Sequence, residues 1–91
     1  MNIGAVKAVQ EIAIGFSRID ALDGEGQIAA AREAFYVVIG FEKSGEVDKA
    51  KQYAALFDGV FAQAGFAVSE YYRQLFRTHC REPLLLASVA I

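Results

Sequence analysis

Apolar residues recur along this chain at spacings of three and four, the period of a helix that buries one face. Ala5, Val6, Val9, Ile12, Ala13, Phe16 and Ile19 form one such stripe, with Lys7, Glu11 and Arg18 off it. The pattern predicts a first helix from about Ile3 to Leu22. Asp23-Gly24-Glu25-Gly26 supplies its stop, because acidic residues and glycine favour turns. Ile28, Ala31, Phe35 and Val38 carry the same period through a second helix, Gln27 to Lys43. The second half of that segment, Phe35 to Phe41, is apolar on every side and read alone suits a strand as well as a helix. The continued register, and the lack of a strand-like run for it to pair with, decide for helix. A helix that is apolar all round sits inside a core or against another molecule.

Ser44-Gly45 breaks the chain again, and a third helix follows from Glu46 to Ala64 with Val47, Ala50, Ala54, Phe57, Phe61 and Ala64 on one stripe. Glu46 and Asp48 fall in its first turn, where acids suit the helix dipole, and Gly65 closes it. Ser69 reads as the N-cap of a fourth helix that reaches Glu82, ahead of Pro83. Val68, Tyr72, Leu75 and His79 form its apolar row, with Tyr71, Phe76 and Cys80 beside them. The tail, Pro83 to Ile91, is apolar apart from Ser88. It either opens a short fifth helix with Pro83 in first position or docks as an extended segment. The fold class is therefore all-α: a small bundle of four helices, or five, spanning residues 1–91 as one domain. The short loops make successive helices antiparallel neighbours.

Composition sharpens this picture in one respect. Hydrophobic residues, Tyr included, make up 55% of the 91 positions. Counted with the eight Gly in place of the four Tyr the share is higher still, against a usual roughly 45–50% on that count. A chain this short has little interior in which to hide them. Self-association or a protein partner is the expected consequence. Nine basic and eleven acidic side chains leave a net charge of −2, which argues against a phosphate-backbone binder. Cys80 is the only cysteine, so no disulfide can form within the chain, and a reducing, cytoplasmic setting is expected. The longest uncharged stretch, Gly59 to Ser69, is too short to span a bilayer, and no signal-peptide pattern opens the chain.

Candidate chemistry is sparse. Asp20, Asp23, Gly24, Glu25, Gly26 and Ile28 resemble pieces of an EF-hand loop. Taking Gly26 as its glycine, however, puts Ala21 first and Arg32 last, where calcium needs an acid and a bidentate Glu. Helix capping is the simpler role for these acids. Phe41, Gly45, Ala50 and Tyr53 resemble the turn of one tetratricopeptide unit over little more than a dozen residues, without the further copies such a repeat needs. His79 and Cys80 are adjacent on a helix and so point about 100° apart, which disqualifies them as a nucleophile–base pair. No cofactor motif is present. Gly4, Ala8 and Gly15 cluster on one side of the first helix beside Ile3 and Ile14, a second apolar contact face.

Arg73, Arg77 and Arg81 follow at i, i+4 and i+8 and form a basic strip leading into the tail. Three successive leucines cannot all face inward in one regular element. Leu84, Leu85, Leu86 and Val89 are therefore read as the apolar anchor of an interface whose rim is the arginine strip. The functional expectation is a non-enzymatic protein-interaction module, either an oligomer or a small adaptor or inhibitor. Two alternatives stand beside it. One is a ligand-binding or enzymatic bundle with a pocket near His79, using Tyr71 or Tyr72. The other is a nucleic-acid module using the arginine strip.

Overall fold

Helical spacing becomes helix throughout the computed structural model, which describes residues 3–16 and 18–89. Its elements are α1 (Ile3–Ala13), a single 3-10 turn (Ile19–Ala21), α2 (Gly24–Lys43), α3 (Val47–Ala64), α4 (Phe66–His79) and α5 (Pro83–Leu86). No strand occurs among the described residues. The all-α expectation holds, and the all-round apolar segment Phe35 to Phe41 is helix. The reason is its place: α2 packs on α1, α3 and α4 together. Within the segment this packing buries Phe35 and Val38 and half-buries Val37, Ile39 and Phe41, while Tyr36 stays exposed.

The element boundaries differ from the sequence reading most at two helices. The first helix ends at Ala13, not near Leu22, and Ser17 of the longer expected helix lies outside the described residues. Gly15 has φ 92°, a left-handed conformation that favours glycine. The N–H of Phe16 donates to the Glu11 carbonyl at 2.6 Å and that of Gly15 to the Ile12 carbonyl at 3.1 Å. This pair of bonds is a Schellman stop, and the same pair recurs around Gly45 at the end of α2. Phe16 keeps helical spacing with the stripe yet is exposed, while Ile19 reaches the core from the 3-10 turn. The second difference lies at α4, which starts at Phe66 instead of after Ser69 and ends at His79 instead of Glu82. Ser69 is buried inside the helix, and its N–H donates to the Gly65 carbonyl at 3.1 Å.

The expected acidic turn serves as the start of α2. Asp23 is its N-cap, accepting from the Gly26 N–H at 2.7 Å. At the other end of the chain, Cys80 and Glu82 are extended, and for Glu82 the following proline disfavours the helical region. Glu82 caps α5 through the Leu84 N–H at 3.2 Å, with Pro83 in the first turn. The fifth helix of the two tail alternatives is the one that forms, and Ala90 and Ile91 lie outside the described residues.

The core is aromatic at its centre. Tyr72, Phe57, Phe61 and Phe76 are fully buried. Tyr72 lies 4.9 Å from the Phe61 ring centroid and 5.1 Å from that of Phe76, and Phe76 meets Phe35 edge-on at 4.9 Å. Alanines at 30, 31, 34, 50 and 54 are buried too; their small side chains let the helices that carry these rings approach closely. The buried Tyr72 hydroxyl donates to the Ala54 carbonyl at 3.0 Å, so its polar atom is satisfied.

Candidate interaction groove

The arginines of the expected strip have three separate fates. Arg73 turns toward α3, where its Nε donates to Asp58 Oδ1 at 2.9 Å and its Nη2 to Oδ2 at 3.5 Å. Asp58 is buried, so Arg73 neutralises an acid at the edge of the core and is a structural partner. Its guanidinium is pushed above its ordinary pKa by the hydrogen bond to that carboxylate. Arg77 pairs with Glu70 and with Gln74 on its own helix, in solvent, where such pairs contribute little. Arg81 lies beyond the end of α4 and is exposed. The i, i+4, i+8 row is broken because the helix stops at His79.

The tail divides in the same way. Leu85 and Val89, four residues apart, are buried, whereas Leu84 is exposed and Leu86 half-buried. Leu85 and Val89 are core, which corrects their reading as interface anchors: α5 lies against α3 and turns that edge inward. Of the expected tail anchors, Leu84 and Leu86 keep exposed surface. Tyr72 is enclosed, and burial together with the nearby Asp58 carboxylate drives its pKa far up. It is therefore not a pocket residue. Cys80 is buried, with its thiol pKa raised by desolvation.

His79 does line a cavity. One cleft of about 350 Å³ is bounded by Phe35, Tyr36, Ile39, Lys43, Leu75 and His79. A second, of about 250 Å³, is bounded by Ile39, Glu42, Lys43, His79, Cys80, Arg81 and Glu82. They share Ile39, Lys43 and His79, and so form one open groove between the C-terminal half of α2 and the end of α4. Its floor is apolar and its far end is ringed by charges of both signs. Tyr36 flanks the floor and is 58% exposed; Phe16 and Phe66 are exposed as well, but of the three only Tyr36 lines the groove. The His79 ring sits 6.4 Å from that of Phe35.

Of the residues that line this groove, the sequence reading singled out His79 and Arg81 as site candidates. Tyr36, Ile39, Lys43 and Leu75 were not among them. The signal for Tyr36 and Ile39 is the all-round apolar run Phe35 to Phe41, which exceeds what one buried face needs. Among the described residues, no three His, Cys, Asp or Glu side chains converge to hold a metal ion. No helix among them is long and apolar enough to cross a membrane. No protein-family model, curated protein or solved structure matches the chain. The class that fold and site define is thus architectural: a small all-α bundle with an open groove between its second and fourth helices.

Proposed function

We propose that this chain is a non-enzymatic protein-interaction module, an adaptor, inhibitor or self-associating subunit of the cytoplasm, that takes its partner in the α2–α4 groove. The carrying observation is Tyr36. It stands exposed beside the apolar floor formed by Ile39 and Leu75, at the open side of a groove whose end carries Lys43, His79 and Arg81. An aromatic at an apolar centre with an arginine at the rim is the composition enriched at protein interfaces. The groove is open along its length, which suits a segment of another protein better than a small molecule that needs enclosure. The nucleic-acid reading loses support because Arg73 and Arg77 are already engaged with Asp58 and Glu70. A ligand-binding bundle remains the second reading, favoured by His79 alone, which lines both clefts.

Tyr36→Glu and Leu56→Glu form the test. Both residues are exposed, on α2 and α3 respectively, so neither change should unfold the chain. Affinity capture from host cells should recover the same proteins with the parent and with Leu56→Glu, and lose them with Tyr36→Glu. Identical recovery with both variants would remove the groove from the proposal.

A further inference from the structure

α3 and α4 are joined by one residue. Gly65 has φ 143° and ψ 163°, a backbone region closed to nearly every residue with a side chain. A Cβ built there would meet nothing within 4 Å, so backbone conformation alone makes the position glycine. The corner has little else to hold it. Among the described residues no side chain caps α4, and its first residue, Phe66, is 83% exposed.

The apolar register ignores this corner. Phe57, Phe61, Ala64, Val68, Tyr72 and Phe76 follow one another at spacings of three and four, straight through position 65. They would form a single stripe on an uninterrupted helix. In such a helix the N–H groups of Phe66, Ala67 and Val68 would bond the carbonyls of Ala62, Gln63 and Ala64, groups left over at the ends of two separate helices. A lone glycine is tolerated in a helix interior, which proline would not be. Straightening would, however, draw the buried Val68, Tyr72, Phe76 and Leu85 out of their own chain's core. A second copy can return the same side chains to the same places under two-fold symmetry.

We infer that two copies of this chain exchange α4 and α5 about Gly65, so that α3 and α4 of each run on as one helix and the pair forms a domain-swapped dimer. Every core contact across α4 is kept, including Phe61 with Tyr72 and Asp58 with Arg73, but each now joins different chains. The inference is independent of what the α2–α4 groove binds, since the exchange rebuilds that groove from two chains.

Gly65→Ala tests it. Alanine is strained at the corner and favourable in the straight helix, an advantage of roughly tenfold at each of two hinges, so the dimer dissociation constant should fall about 100-fold. Sedimentation equilibrium reads that shift. A mixed sample of isotopically distinct chains reads the exchange: the Phe61 and Tyr72 rings, 4.9 Å apart within one chain in the closed form, should show contacts between chains. Within one exchanged chain they would lie about 16 Å apart along the helix axis. Inserting Gly-Gly-Ser after Gly65 relaxes the corner and should leave the protein more monomeric than the parent. A folded Gly65→Ala variant that stays monomeric at millimolar concentration overturns the inference, as does a dimer whose Phe61–Tyr72 contacts all remain within one chain. An insertion variant that dimerises as tightly as the parent does the same. If Gly65→Ala does not fold, the parent refolded at millimolar concentration decides, through the same contacts: between chains upholds the exchange, only within chains refutes it.

Discussion

Replacing Leu85 by alanine, with Leu84→Ala as its neighbour control, separates a tail that is core from a tail that is interface. The two residues are adjacent and chemically identical, yet Leu85 is 0% exposed and Leu84 53%. Truncating a fully buried leucine removes its transfer free energy and leaves a cavity, together roughly 2–5 kcal/mol. Because α5 is a four-residue helix at the end of the described chain, it can detach locally in place of supporting a void. The cost therefore belongs in the lower part of that range, about 2–3 kcal/mol. For a domain of this size, 1 kcal/mol lowers Tm by about 4–8 °C, so a fall of roughly 10–20 °C is expected. Leu84→Ala should stay within about 0.5 kcal/mol of the parent, as exposed substitutions do. Urea unfolding followed by helical circular dichroism, with thermal melts alongside, measures both. Equal stability of the two variants would refute the burial argument and return Leu85 to the surface.

Arg73→Glu should destabilise by roughly 2 kcal/mol or more, since it leaves the buried Asp58 facing a second carboxylate, whereas Arg77→Glu, on the exposed side of the same helix, should change little; the two urea midpoints check this. Tyr72→Phe should cost about 0.5–1.5 kcal/mol at neutral pH, for the lost bond to the Ala54 carbonyl. Its pH dependence has a definite sign. The folded-state pKa of Tyr72 is raised, so above the unfolded value near 10 the unfolded chain releases a proton that the folded chain retains, and the parent loses stability as pH rises. The phenylalanine variant lacks that loss. Urea midpoints from about pH 8 to about pH 11 should therefore converge, and a constant gap across that range would contradict the assignment.

The helices themselves were legible because burial on one face imposes a period that survives in one dimension. Val47 to Ala64 shows it without ambiguity, whereas Phe35 to Phe41 needed the register continued from Ile28 to be read as helix. The ends were harder. Gly15 sat among small residues that resembled a packing face, and only its left-handed backbone reveals it as a stop. Ser69 has the chemistry of an N-cap, but tertiary packing buried it and gave the boundary to Gly65 instead. The arginine row fails twice: the helix ends before Arg81, and the acid that claims Arg73 lies on another helix, fifteen positions away in sequence. The same holds for the groove: Tyr36 and Ile39 on α2 meet Leu75 and His79 on α4 only after the bundle forms. The tail shows the reverse case. Leu85 and Val89 lie four residues apart, a spacing readable in advance, but α5 ends at Leu86 and their burial depends on packing against the rest of the bundle.

The claim that the groove receives a protein is tested most directly by a photo-crosslinking amino acid placed at Tyr36 and, separately, at Leu56, followed by irradiation in living host cells. Both positions are exposed on helices of the same bundle, so general stickiness would label them alike. The groove reading predicts a discrete covalent adduct with another polypeptide at position 36 and none at position 56. No adduct at position 36, or the same adducts at both positions, would contradict it.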